Sequence, residues 1–506
     1  MSTYEDKPFL CQEKFREKYI FSLMPWQEFF PIDITPEIPY ICASMSAKTV
    51  HIKSFGCQMN KLDTALVTSA LRQGGFGLVD DERRADVVLI NTCSVRGHAE
   101  EKVLSHLGNL KHIKESRPEL VVGVIGCMAQ RLGAELLGHE AVDIVCGPAQ
   151  IPQITSLVTE ALQEKKKTLA VTGKIRQKTD EKETEALEDF ESVFDSDDKR
   201  IPNQAFVRAM RGCNNFCTYC IVPYVRGPEV SRPPKAIIEQ IKRLAGEGVK
   251  LVTLLGQTVN SYKYTAGEKT YCFADLLQMA SEVEGIEWLR FVTNYPFEDY
   301  FDEIIGAMAD LPKVCNFLHM PAQSGSDRIL KAMNRNYTAS FYMELLDRAR
   351  AAVAGIAIAG DFIVGFPGET EEDFRATVEL VEKARYKKCF VFKYSPRPGT
   401  TAENRLEDDV SEKIKKRRNT ELLGVQEKIS GDLSKEILHK EVLVLVEGLS
   451  KKPHLNKAEN KNEPQLVGRT ATDWIVVFNG PESLAGQFAK VKIIKTAPLT
   501  LFGKCI

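Results

Sequence analysis

Two series of apolar, strand-length runs alternating with helical stretches constrain this chain more than any other feature. In the first, Val50-His-Ile-Lys-Ser-Phe55, Ala85-Asp-Val-Val-Leu-Ile90 and Leu120-Val-Val-Gly-Val-Ile125 each precede a helix-like segment, and Asp143-Ile-Val145 is a fourth candidate. Apolar runs bounded by helical patterns signal parallel strands buried on both faces. Residues 48–171 are therefore expected to form a doubly wound α/β domain. In the second series, strands are expected near 204–210, 250–255, 287–293, 314–320, 357–364 and 388–394, with helices between them such as 236–244 and 371–384. Six βα units imply a partial (β/α)6 barrel over 201–432. After a charged helical stretch to about Lys435, short runs at 442–446, 472–478 and 489–493 imply a small β-barrel over 433–500. Residues 172–200 carry Asp180-Glu-Lys-Glu-Thr-Glu185 and Asp195-Ser-Asp-Asp198 and read as an exposed acidic linker. Residues 1–47 hold aromatics and prolines without a period and read as an amino-terminal extension.

With 506 residues the chain is long enough for two to four domains, and its net charge of -2 excludes a uniformly basic nucleic-acid binder. A local basic face stays possible. From residue 433 onward there are 11 Lys plus Arg against 7 Asp plus Glu, a modest excess that suits RNA backbone recognition or an ordinary surface. Thirteen cysteines is an odd number for a disulfide framework. Neither a signal peptide nor an apolar run of membrane-spanning length is present, so a cytoplasmic protein without a membrane role is expected. In a reducing compartment, clustered thiols are ligands or catalysts rather than staples.

Two such clusters stand out. Arg211-Gly-Cys213-Asn-Asn-Phe-Cys217-Thr-Tyr-Cys220 places three thiols in a C-x3-C-x2-C spacing directly after a predicted strand. Three thiolates can hold three corners of a [4Fe-4S] cluster and leave one iron open, whereas structural zinc would want a fourth Cys or His at matching spacing, and none follows within thirty residues. The other trio is Cys57, Cys93 and Cys127, in Phe55-Gly-Cys57-Gln-Met-Asn60, Asn91-Thr-Cys93-Ser-Val-Arg96 and Gly126-Cys127-Met-Ala-Gln-Arg131. Each lies just past a predicted strand, and the intervals of 36 and 34 residues (57 to 93, 93 to 127) match one βα unit. Carboxyl ends of parallel strands share one edge of a sheet, so the three thiols are expected to converge there. Cys146 lacks the flanking polar residues and, with Cys11, Cys42, Cys272, Cys315, Cys389 and Cys505, is assigned a structural role.

The glycine-rich and polar loops Leu255-Gly-Gln-Thr-Val-Asn260, Ala322-Gln-Ser-Gly-Ser-Asp327 and Gly365-Phe-Pro-Gly-Glu369 sit where a barrel carries its active site and could cradle a nucleoside cofactor. Arg211, Arg226, Arg232 and Arg335 lie near them and are candidates to meet phosphate or carboxylate, with solvated surface as the default.

Taken together, these motifs resemble the methylthiotransferases, a family of radical SAM enzymes, over roughly residues 48–500, and the residues flanking Cys57, Cys93 and Cys127 look like its MiaB-type, tRNA-modifying branch. The resemblance implies a cluster domain, a radical SAM partial barrel and a carboxyl-terminal TRAM barrel. It implies that Cys213, Cys217 and Cys220 ligate a [4Fe-4S] cluster that cleaves S-adenosylmethionine to a 5′-deoxyadenosyl radical. Cys57, Cys93 and Cys127 would ligate an auxiliary [4Fe-4S] cluster that carries the sulfur. Tyr219, Gln257, Asn260, Ser324, Arg335 and Asp361 become candidate S-adenosylmethionine contacts. The implied substrate is N6-isopentenyladenosine in the anticodon stem-loop of tRNA, methylthiolated at carbon 2. Flavodoxin or ferredoxin is the implied kind of electron donor, and a monomer is the default. Methylthiolation of a ribosomal protein, or an iron-sulfur RNA-binding protein without turnover, are the rival readings. One departure is Pro228, where the family commonly has Arg before the Glu.

Overall fold

Register explains why three distant cysteines can share a site. In the computed structural model, which describes residues 48–94, 97–173, 181–192, 203–451 and 463–506, the first sheet has six strands, all parallel. Its order is Gly77–Leu78, Thr49–Phe55, Val87–Thr92, Val121–Gly126, Ile144–Cys146, Thr168–Ala170. The pairings set Phe55 beside Thr92 and Thr92 beside Gly126, so three adjacent strands end level with one another. Cys57, Cys93 and Cys127 open the loops that follow.

The sheet is doubly wound, as expected. Val88, Ile90, Val122 and Val124 point to one face and are covered by Val103, Leu107 and Leu110 of the helix Gly97–Ser116. Val87, Leu89, Val121 and Ile125 point to the other, under Val67 and Leu71 of the helix Gln58–Gln73 and Ile154, Leu157 and Val158 of the helix Ile154–Glu164. Side chains alternate faces along a strand, so a run apolar at every position can be buried only between two helical layers.

The second series supplies all six expected strands. They are Gln204–Arg208, Leu251–Leu255, Trp288–Phe291, Phe317–His319, Ala357–Val364 and Lys388–Lys393, in two parallel three-stranded sheets. A parallel bridge from Leu289 to Val314 joins the two sheets in sequential order. Among the described residues no pairing returns from the last strand to the first, which gives a partial barrel. The helix Glu412–Lys435 packs along the last strand.

Five strands at the carboxyl end, Glu441–Leu449, Gln465–Arg469, Ile475–Asn479, Thr500–Cys505 and Phe488–Ala497, close into a barrel around Val444, Val446, Leu466, Val476, Phe478, Val491 and Leu501. The closing strand runs past residue 500, where the sequence reading ended this module; it fills the gap between two strands that would otherwise be edges. This barrel caps the amino-terminal ends of the large barrel's strands. Leu445 and Phe488 pack on Leu251, Trp288 and Cys315, with Trp288 and Phe488 edge to face at 4.8 Å. Beside them Asp473 accepts from Arg290 at 3.2 Å and Lys388 at 2.5 Å and lies 3.7 Å from the Lys387 ammonium.

Several cations surround that single carboxylate, and Lys387 is the one that gives way. Burial, against the pull of Asp473, lowers its ammonium from the ordinary 10.5 to about 7. Between those values the folded state binds fewer protons than the unfolded state, so this group adds stability as pH rises from 7 toward 10.5. Lys387→Met removes the dependence. In urea titrations the wild type should gain on the variant between pH 7 and pH 9; an unchanged difference would show that Lys387 is charged throughout.

The acidic stretch departs from expectation. Residues Glu181–Ser192 form a helix rather than exposed linker, and Glu191 is fully buried. The reason is electrostatic: Arg208 reaches Glu191 at 2.7 Å, Arg211 reaches it at 3.3 Å, and Arg232 pairs with Glu188 at 2.5 Å. Residues 1–47, Val95 and Arg96 of the second cysteine motif, and Asp195 to Asp198 lie outside the described residues. No helix among the described residues is long and apolar enough to cross a membrane.

Candidate metal centres

The first trio along the chain, Cys57, Cys93 and Cys127, is held by its loops. Cys57 caps the helix Gln58–Gln73, and its thiol donates to Asn60 Oδ1 at 3.2 Å. Asn60, itself buried, donates through Nδ2 to Asn91 Oδ1 at 3.0 Å and to the Thr92 carbonyl at 2.7 Å, while Asn91 donates back to the Asn60 carbonyl at 2.8 Å. This asparagine pair ties the first loop to the second. The third loop closes on them through Gly126: its φ is +94°, and a Cβ there would lie 2.6 Å from the Thr92 carbonyl oxygen and 2.7 Å from Asn91 Oδ1. Only glycine allows that approach. The outcome is a thiol environment of unusual polarity. A hydrogen bond with Cys93, more than the nearby Arg226 charge, lowers the Cys57 thiol to about 6 despite its burial. Burial raises the Cys127 thiol, with Arg226 opposing it.

The second trio lies on the loop after the strand Met210–Arg211, which pairs with Val230–Ser231. Gly212 has φ +71° and faces the Pro228 carbonyl, and Cys213 N–H donates to the Gly227 carbonyl at 3.1 Å. Cys213 Sγ lies 3.3 Å from Thr258 Oγ1 and 3.5 Å from Asn215 Nδ2. Arg335 aims Nη1 at Cys217 Sγ at 3.6 Å; its Nε donates to the Tyr337 hydroxyl at 2.8 Å, and its guanidinium lies 4.2 Å from the centre of the Tyr295 ring. Burial raises the Cys213 and Cys220 thiols, and Cys217 adds to the effect at Cys220.

The two trios are neighbours. Cys127 shares a buried apolar cluster with Ile221 and Val225, which follow Cys220, and Arg226 Nε donates to Cys127 Sγ at 3.2 Å. Met59, Leu62 and Leu66, on the helix that Cys57 caps, belong to the same core as Val207 and Cys217.

The candidate cofactor residues divide. Arg335 touches the second trio, and Tyr219 packs beside it against Ile329, Met333 and Phe366. Gln257 is half-buried on the same loop as Thr258. Asn260 is engaged by backbone, donating to the Tyr295 carbonyl at 2.7 Å and accepting from its N–H at 2.8 Å. Ser324 is buried and accepts from Ser326 N–H at 3.2 Å, next to Thr377 at 3.3 Å. Asp361 lies 3.4 Å from His319 Nε2. In the loop Gly365 to Glu369, the Glu369 carboxylate folds back to accept from Gly365 N–H at 3.0 Å and pairs with Arg418 at 2.8 Å, so this loop serves as a strand-ending turn.

Of the four arginines singled out in the sequence, Arg211, Arg226 and Arg232 meet carboxylates of this chain, and Arg335 meets a thiol and two aromatic rings. The sequence reading missed Asp63, Arg208, Glu188, Glu191 and Thr258. Thr258 was findable, since it adjoins Gln257 in a quoted loop. At Pro228 the side-chain charge is lost, but the backbone carbonyl still serves as the wall against which Gly212 sits. Among the other cysteines, Cys146 is buried with its thiol raised to about 12 by burial, Cys315 is buried, Cys272 caps the helix Phe273–Ser281, and Cys505 is exposed, contrary to a structural role in a core.

These residues suit thiolate-bound clusters. In each trio a buried arginine donates to a thiol, the partner an iron-bound thiolate takes, and the loops are pinned by backbone and amide bonds. Among the described residues no three Cys, His, Asp or Glu side chains are gathered as one metal ion requires.

Comparison with known proteins adds three matches to family models: the uncharacterized protein family UPF0004 over residues 49–147, the radical SAM superfamily over 207–381, and the TRAM domain over 438–506. A tRNA-2-methylthio-N(6)-dimethylallyladenosine synthase of Rhodopirellula baltica is 42% identical over 462 residues, covering 90% of this chain and 95% of that protein. Its counterpart in Aquifex aeolicus is 39% identical over 461 residues, covering 91% and 99%. Among solved structures, the radical S-adenosylmethionine methyltransferase TsrM of Kitasatospora setae, with cobalamin and a [4Fe-4S] cluster bound, superposes with a TM-score of 0.50 over 71% of this chain and 77% of that one, at 16% identity. That likeness concerns the fold.

Proposed function

We infer the function from the premise that this chain belongs to the tRNA-2-methylthio-N(6)-dimethylallyladenosine synthase family of radical SAM enzymes: it adds a methylthio group to carbon 2 of N6-isopentenyladenosine beside the anticodon of tRNA. The observation that carries this reading is the adjacency of two separate cysteine trios, one on each side of the contact between Cys127 and Ile221. When bound, two [4Fe-4S] clusters and S-adenosylmethionine supply one-electron cleavage, hydrogen removal from an aromatic carbon and delivery of methylated sulfur.

The chain's own residues do the rest. Cys213, Cys217 and Cys220 would hold one cluster, with Thr258 and Asn215 at Cys213 and Arg335 at Cys217 orienting the thiolates. Cys57, Cys93 and Cys127 would hold the other. Tyr219, Gln257 and Arg335 are the S-adenosylmethionine contacts that the surroundings of the second trio best support. Asn260, Ser324 and Asp361 would support that site through the segments they bond. Exposed Lys490, Lys492 and Lys504 on neighbouring strands of the small barrel support an RNA-facing role for it. We assign the 48–171, 201–432 and 433–506 segments to auxiliary-cluster, radical and RNA-binding duties. A cytoplasmic monomer served by a flavodoxin or ferredoxin fits a tRNA enzyme that needs single electrons.

Anaerobically reconstituted, reduced protein should release 5′-deoxyadenosine and convert isopentenylated tRNA to its 2-methylthio form, read by mass analysis of nucleosides. Cys213→Ala should lose both products. Cys93→Ala should lose the methylthio product and retain 5′-deoxyadenosine. Unmodified tRNA from protein with both clusters loaded would reject the assignment.

A further inference from the structure

Arg226 carries a polar contact from the segment that follows Cys220 to the other trio. It ends the short helix Val222–Arg226, which begins two residues after Cys220, yet its Nε donates to Cys127 Sγ at 3.2 Å in the other trio. Its Nη2 donates to Asp63 Oδ2 at 2.7 Å, and Asp63 is bonded in turn by Arg208 from the first barrel strand. The side chains of Arg226 and Asp63 are 8% and 2% exposed, so the guanidinium has little water to screen it and little freedom to leave. A planar guanidinium can serve thiol and carboxylate together, which a lysine ammonium cannot do in the same geometry. Asp63 lies one turn into the helix that Cys57 caps, and the Arg226 charge is felt at Cys57 as well as at Cys127.

Resting on the assignment of Cys57, Cys93 and Cys127 to the auxiliary cluster, we propose that Arg226 is a positioning residue that sets the reduction potential of that cluster through its N–H···S bond to Cys127. A hydrogen bond and a fixed positive charge at a ligating thiolate stabilise the more negative, reduced form, so they raise the potential. The anchor at Asp63 keeps that charge on Cys127 rather than on solvent or substrate. Because Arg226 rides on the segment that follows Cys220, it also makes the auxiliary site depend on correct seating of the radical-forming loop.

The test uses full-length protein carrying Cys213→Ala, Cys217→Ala and Cys220→Ala, so that only the auxiliary cluster loads. Its potential is followed by redox titration monitored by electron paramagnetic resonance. Arg226→Met should shift the midpoint to more negative values, and Arg226→Lys should fall between Met and wild type. The pair Arg226→Met with Asp63→Asn removes both buried charges and guards against misfolding; it should keep the negative shift while iron content stays at the parent value. An unchanged midpoint in variants that retain their iron would overturn the inference. Failure of the parent protein to load four irons would instead overturn the ligand assignment itself.

Discussion

Asp63→Ala should be among the most damaging single substitutions in this chain, lowering stability by about 3–5 kcal/mol, the usual consequence of stripping one partner from a buried ion pair. Asp63 is 2% exposed and sits between Arg208 and Arg226, which are themselves buried. Burial alone would raise its carboxyl, but the Arg226 and Arg208 charges hold it below the ordinary range. Its removal leaves two guanidinium groups in a dry interface with one carboxylate fewer. The loss should appear as a fall in the urea midpoint, and adding Arg226→Met should recover part of it, since the pair is coupled. A loss of under ~1 kcal/mol, typical of exposed pairs, would mean that water reaches this site.

Gly212→Ala should cost the radical-forming site while sparing the auxiliary one. A Cβ at residue 212 would stand 1.9 Å from the Pro228 carbonyl oxygen, and the backbone there has φ +71°. The left-handed conformation alone costs a non-glycine residue roughly 1–3 kcal/mol. The clash is worse, because the blocking atom is backbone and the whole strand pair Met210–Arg211 with Val230–Ser231 must part to relieve it. Cys213, the next residue, moves with it. Reconstituted variant should bind about half the iron of wild type, on the reading that two equal clusters load, and release no 5′-deoxyadenosine. Full iron content with normal cleavage would show that the loop tolerates a shifted backbone.

Much of the architecture was legible before any coordinates. Every expected strand of the large barrel was found, as were the three long strands of the first sheet, because a buried parallel strand writes its burial locally as an unbroken apolar run. The cysteine trios were legible for a related reason: a ligand set on a parallel sheet recurs at the length of one βα unit. Helix Glu181–Ser192 was not. Its acidic composition suits solvent as well as it suits a row of arginines, and nothing in the stretch itself says which it will meet. The bonds that Asn260 and Ser324 make were not legible either. Polar residues in glycine-rich loops look available for a ligand until the backbone claims them, and here it takes both faces of the Asn260 amide.

By itself, then, the amino-acid sequence determined the layers, the succession of strands and helices along each series and the six thiols, all set by short-range periodicity and spacing. Tertiary structure decided that the two trios abut, that Arg226 crosses from one to the other over 163 residues to Asp63, and that one carboxylate, Asp473, anchors the small barrel. Those contacts join groups from separate folding units. An ion pair has no local period, and its partner is chosen only when packing removes the water that would otherwise satisfy both charges.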